Sequence, residues 1–136
     1  MGVAVLQAVR HARDVIDRDF ATPLSLDALA NASSYSKYHF VRAFADAYGE
    51  TPRAYLTRRR IERAKDLLRG ANLTVTEICM LVGFDSLGSF SSRFKALVGV
   101  TPTEYRQRMS SVPPIPGCFV LMWTTPQSGR SAREQR

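Results

Sequence analysis

The stretch from Gly83 to Arg106, GFDSLGSFSSRFKALVGVTPTEYR, is an edited copy of Ser34 to Leu56, SYSKYHFVRAFADAYGETPRAYL. Each copy carries an aromatic residue, a Ser, two Phe four residues apart, a Gly, then Thr-Pro and a Tyr. Ser36, Phe40, Phe44, Gly49, Thr51, Pro52 and Tyr55 align with Ser86, Phe90, Phe94, Gly99, Thr101, Pro102 and Tyr105 at an offset of 50. Upstream, Ser25, Leu29, Ala30 and Tyr35 align with Thr74, Ile78, Cys79 and Phe84 at 49, so the second copy has one residue more in its turn. Two copies are too few for a solenoid, which needs three or more. The chain reads as a duplicated supersecondary unit.

Apolar spacing of three and four residues dominates, and strand alternation is scarce. Val5, Val9, Ala12, Val15 and Ile16 predict a helix over 3–19, and Pro23 closes that segment. Ser25 caps a short helix. Ser36 caps the next, with Phe40, Phe44 and Ala47 on one face and Gly49 as its stop. Thr51 and Pro52 open a long helix to Arg69, followed by Gly70, with Tyr55, Leu56, Ile61, Ala64, Leu67 and Leu68 as its apolar stripe. The pattern then restarts. Thr74 caps the next short helix with Glu77 as capping-box partner, Gly83 breaks it, Ser86 starts another, and Thr101-Pro102 opens the last. The expected fold is all-α, with two helix-turn-helix units (3–51 and 70–111) on a connecting helix at 52–69. A Pro-containing, non-helical tail at 112–136 includes the apolar run CFVLMW, which is expected to pack on the helices.

Composition narrows the classes. The 136 residues carry a net charge of +7, and 16 of the 19 cations are Arg, whose planar fork grips phosphate. Residues 51–70 alone hold seven basic and two acidic side chains. An Arg-rich solvated face explains that segment as well as a phosphate-binding one does, and Glu62 and Asp66 are placed to take some of its arginines. No apolar run approaches the ~18 residues that span a bilayer. The N-terminus has charges every few residues and no cleavage site, and Leu6 stands where a myristoylation signal wants Ser or Thr. Cys79 and Cys118 are too few for a disulfide framework, which makes a reducing cytoplasm the default; Cys79 reads as core. His11 and His39 make no metal-ligand spacing. No carboxylate pair, Cys/His couple or phosphate-cradling Gly loop appears, so no catalytic residue, metal or cofactor is assigned.

A helix-turn-helix lays its second helix in the major groove. In the first unit Phe40 and Phe44 point inward, so Lys37, Tyr38, Val41, Arg42 and Ala45 point out by helical phase. Arg42 suits a bidentate contact to guanine, and Tyr38 and Val41 suit thymine methyls or sugars. Ser36 and Ser86, at helix N-termini, suit phosphates, and His39 lies near the same face.

The residues Gly-Phe at 83–84, Phe90, Phe94-Lys95, Gly99, Thr101-Pro102 and Tyr105-Arg106, together with YSKYHFVRAF in the first unit, resemble the DNA-binding domain of AraC-type transcription regulators over about Val3 to Met109. The resemblance implies seven helices and two recognition helices that read successive major-groove segments on one side of double-stranded DNA. A connecting helix of about 27 Å suits heads set near the ~34 Å repeat of B-DNA. The second head departs from the family pattern. Ser92 stands where a long polar or basic side chain is usual, and the basic residue, Arg93, is one step on. Base contacts are therefore expected from Tyr38, Val41, Arg42, Gly88, Ser89, Ser92 and Arg93, and phosphate contacts from Ser36, Lys37, His39, Ser86 and Ser91. Arg42 carries most of the base reading, while the second helix adds mainly phosphate, methyl and shape contacts. A transcription regulator, monomeric on DNA and with RNA polymerase as a further partner, is the favoured reading. A helical protein-interaction module that has lost DNA affinity is the alternative. About 25 residues follow the last helix, too few for an effector domain, which leaves a stand-alone regulator or a fragment.

Overall fold

The computed structural model describes residues 2–111, and Cys118 and the apolar run at 118–123 lie outside them. Among the described residues there are seven α-helices and no strand. They are α1 (Val3–Asp19), α2 (Leu26–Ala32), α3 (Lys37–Tyr48), α4 (Pro52–Gly70), α5 (Val75–Leu81), α6 (Leu87–Val98) and α7 (Pro102–Ser111). The expected caps are in place. Ser25, Ser36, Thr51, Thr74 and Ser86 each accept a backbone N–H of the following turn through the side-chain oxygen. Thr74 and Glu77 close the capping box. Thr101 and Glu104 form a second reciprocal pair at 2.9 and 3.1 Å. Both carboxyls are held below the usual range, chiefly by the backbone N–H of Thr74 and Thr101. Gly49 and Gly99 end α3 and α6 in the left-handed region, whereas Gly70 remains helical and the chain turns extended at Ala71.

Two hydrophobic cores share α4. The first gathers Val5, Val9, Ala12 and Ile16 of α1, Ala30 of α2, Phe40, Ala43 and Phe44 of α3, and Tyr55 and Leu56 of α4. The second gathers Ile61, Ala64 and Leu68 from the other half of α4, with Ile78, Cys79, Val82 and Phe84, then Phe90 and Phe94 of α6 and Tyr105 of α7. The inward face of α3 is Phe40, Ala43 and Phe44; Ala47, expected on it, lies exposed in the last turn. Each core carries the same aromatic row. Phe40, Phe44 and Tyr55 stand 6.4 and 5.8 Å apart, and Phe90, Phe94 and Tyr105 stand 5.8 and 5.6 Å apart.

The duplication reaches further upstream than the motif alignment at Ser25. Val9, Ala12 and Ile16 on α1 play the part of Ile61, Ala64 and Leu68 on α4, at an offset of 52, and all six are buried. Each unit is thus three helices closed by the start of the next. α4 closes the first unit through Tyr55 and opens the second through Ile61. Ala12 and Ala64 are essentially sealed from solvent, and their small side chains let neighbouring helices approach closely.

The turns inside the two units solve one backbone problem with different residues. Ser34 (φ 66°) and Gly83 (φ 105°) occupy equivalent positions, and both lie at positive φ. The Cβ of Ser34 is costly there, and glycine relieves it. Ser34→Gly is expected to raise stability by about 0.5–1 kcal/mol, read as a higher urea midpoint at unchanged m.

Candidate nucleic-acid interface

The face of α3 opposite the first core is a compact polar and aromatic surface. Tyr38 is 72% exposed, and its hydroxyl accepts a hydrogen bond from Arg42 Nη1 at 2.8 Å, one helical turn on. That bond lays the guanidinium along the outer face, and no acidic side chain among the described residues holds it. Lys37 and His39 are exposed; the His39 ring stands edge-on to Tyr35 at 4.9 Å. Lys37 Nζ is paired with Asp27 at 2.7 Å across α2 and α3, which holds the Asp27 carboxyl below its ordinary range. Val41 is half-buried and packs on the first core, so less of it faces out than helical phase suggests. Ser36 Oγ accepts the His39 N–H at 3.1 Å, which leaves its own O–H to donate outward at a helix N-terminus.

The equivalent face of α6 is bare. Gly88, Ser89 and Ser92 are exposed, Ser91 is half-buried, and Leu87 stands 44% exposed in the first turn. Ser86 repeats the Ser36 cap by accepting the Ser89 N–H at 3.1 Å. Arg93 is exposed but occupies the position of Ala43, which is buried in the first head. It lines a cleft of about 350 Å³ between α4 and α6, together with Arg53, Thr57 and Leu97. Its side chain leaves the helix from the flank, one residue's rotation from the outer face that carries Ser92.

Most of the cationic segment on α4 is used within the fold. Arg58 donates to Glu50 and Glu62, both at 2.7 Å, and these carboxylates push its pKa up. Arg59 donates to Asp17 at 3.1 Å and Glu62 at 3.3 Å. The Tyr55 hydroxyl donates to the same Asp17 carboxylate, which ties α1 to α4. Arg60 donates to the backbone carbonyls of Phe20 and Thr22. Arg69 pairs with Asp66, and Lys65 sits 5.9 Å from the centroid of the Tyr105 ring. The run Arg58-Arg59-Arg60 is therefore chiefly structural, and Arg53 and Arg63 remain exposed on the helix. Cys79 is a buried core thiol; burial pushes its pKa up, and nearby Asp85 adds to that. No helix among the described residues is long and apolar enough to cross a membrane.

Paired helix-turn-helix units, each with a capped second helix whose outer face is left open, define a double-headed DNA-binding fold. Residues 29–108 match the family described as a helix-turn-helix domain. The HTH-type transcriptional activator AarP of Providencia stuartii is 41% identical over 91 residues, 67% of each chain. The probable transcription factor PqrA of Proteus vulgaris is 32% identical over 97 residues, 71% of this chain and 78% of its own. Among solved structures, a probable AraC family transcriptional regulator from Rhodopseudomonas palustris superposes with a TM-score of 0.67 at 28% identity, covering 76% of this chain and 97% of that one. The DNA-binding domain of AdpA, in complex with a target DNA, shares the fold at a TM-score of 0.64 and 23% identity, with 79% and 93% covered. The chain belongs to the AraC family of DNA-binding transcription regulators, a family that is not one of enzymes.

Proposed function

We propose that the chain binds double-stranded DNA sequence-specifically as a monomer in the cytoplasm, with α3 and α6 reading two successive major-groove segments on one side of the duplex. The observation that carries this reading is the Tyr38–Arg42 pair. An aromatic ring left 72% exposed beside an arginine with no carboxylate partner among the described residues, on a helix whose other face is core, is a surface built for contact rather than for stability. Arg42 reads guanine through its fork, while Tyr38 and the open edge of Val41 meet methyls or sugars. In the second head, Leu87 and Gly88 allow close approach to methyl groups, Ser89 and Ser92 meet base edges, and Arg93 swings out from its flank. Ser36, Lys37, His39, Ser86 and Ser91 hold phosphates and so fix the register of both helices. RNA polymerase is the further partner through which such binding acts on transcription.

Site selection from random duplexes, followed by a salt titration on the selected site, tests this. Each phosphate contact contributes about −0.9 to the slope of log K against log salt. A steep slope and a defined selected sequence are expected, whereas a flat slope with no selected sequence would make the chain a protein-interaction module. Lys37 must exchange Asp27 for a phosphate on binding. Lys37→Ala is therefore expected to weaken all duplexes alike and to reduce the slope by about one unit, as read by fluorescence anisotropy at several salt concentrations.

A further inference from the structure

Arg60 projects from the middle of α4 to a place where the two halves touch directly. Its Nε donates to the Phe20 carbonyl at 2.6 Å and its Nη2 to the Thr22 carbonyl at 3.0 Å, both in the segment that leaves α1. On the other side it meets the turn between α5 and α6. The guanidinium carbon lies 5.8 Å from the centroid of the Phe84 ring, and Asp85 supplies an attractive charge. Gly83 closes the contact. A Cβ at that position would stand 2.8 Å from both Arg60 Nε and the Phe20 carbonyl oxygen. The carbonyl is backbone and cannot swing aside. The half-buried guanidinium is thus clamped between the first unit and the turn that launches the second recognition helix, and it belongs to neither core.

We propose that Arg60 is a positioning residue that sets the spacing and phase between the two reading heads, and hence the base-pair separation that the protein accepts. The proposal rests on the two-headed reading above. Each unit packs on α4 through its own core, so either can fold without Arg60. What Arg60 adds is a second point of attachment off the α4 axis, which resists rotation of one head against the other. Such rotation matters on DNA, because one base pair advances the groove by about 3.4 Å and turns it by about 34°. Gly83 permits this contact by lacking a side chain, and its positive φ makes glycine the fitting residue on conformational grounds as well.

The test starts from the two-part site that the wild-type chain selects from random duplexes. Affinity is measured on that site and on duplexes with one base pair inserted or removed between the two parts. The wild type is expected to lose about tenfold or more on the altered duplexes, and Arg60→Met less than about threefold, because a loosened pair of heads follows the displaced segment. Arg60→Lys, which keeps the stem and charge but loses the fork, is expected to fall between them. Helical content by circular dichroism verifies that each variant folds. An Arg60→Met protein that loses affinity on every duplex by the same factor, with its spacing ratio unchanged, would reduce Arg60 to a stabilising contact and overturn the proposal. Failure of both variants to fold would overturn it too, since it places Arg60 outside both cores. If the wild type selects no two-part site, the failure lies in the two-headed reading itself.

Discussion

Arg42→Ala is expected to cost the selected site about 1–3 kcal/mol, or roughly 5- to 150-fold in affinity, and to leave binding to unrelated duplexes nearly unchanged. The asymmetry follows from the geometry. Arg42 is exposed, carries no carboxylate partner among the described residues and is aimed along the outer face of α3 by its bond to the Tyr38 hydroxyl. Its fork matches the two acceptors of guanine, a match that a lone ammonium does not make. Arg42→Lys should therefore keep the charge yet recover little of the discrimination. Site selection with each variant is the measurement. Sequence preference should fade at one or two positions in the segment read by the first head and persist in the segment read by the second. Uniform weakening on all sequences would instead place Arg42 on phosphate and move base reading elsewhere.

Phe44→Ala is expected to destabilise the fold by about 3–5 kcal/mol. Phe44 is fully buried, and its ring meets Phe40, Tyr48 and Tyr55 at centroid distances of 6.4, 4.9 and 5.8 Å. Truncation removes the middle of that cluster and leaves a void that the packed helices fill only in part. A domain of this size has about 5–15 kcal/mol of stability in total, so the variant loses a large fraction of it. Because α4 belongs to both cores, the second unit is expected to weaken with the first. Urea unfolding followed by circular dichroism should show one transition at a lower midpoint, not a surviving half.

The element order and most caps were legible because every described helix after α1 begins on a residue whose side chain does the capping. Ser25, Ser36, Thr51, Thr74 and Ser86 stand immediately before an apolar period, and the structure uses all of them. The face of α1, which has no side-chain cap, was legible from apolar spacing instead, since Val5, Val9, Ala12, Val15 and Ile16 are the residues it buries. What escaped was the extent of the duplication. Val9, Ala12 and Ile16 share no identity with Ile61, Ala64 and Leu68 beyond a central Ala, and a longer connection after α1 shifts the offset from 49 to 52. The apolar spacing matches once three residues are allowed as a slip in that connection.

The outer face of the site was legible in phase but not in detail. Periodicity places Tyr38 and Arg42 outward, and they lie there. It also places Val41 outward, but that side chain packs against the first core and is half-covered. Arg93 shows the converse. Its phase equals that of buried Ala43, yet it is exposed, because Thr57 and Arg53 line the cleft on that flank. Spacing places Glu62 and Asp66 to pair with arginines of α4, and they pair with Arg58, Arg59 and Arg69. The remaining partners of Arg59 and Arg60, Asp17 near the end of α1 and the carbonyls of Phe20 and Thr22 just after it, lie some 40 residues upstream and were beyond its reach.

Hydroxyl-radical footprinting of the wild-type chain on its selected duplex, at a stoichiometry fixed by titration, tests the two-headed monomer most directly. One chain per duplex should protect two patches about one helical turn apart on the same side of the DNA. A single protected patch, patches on opposite sides, or two chains for every two-patch footprint would contradict it.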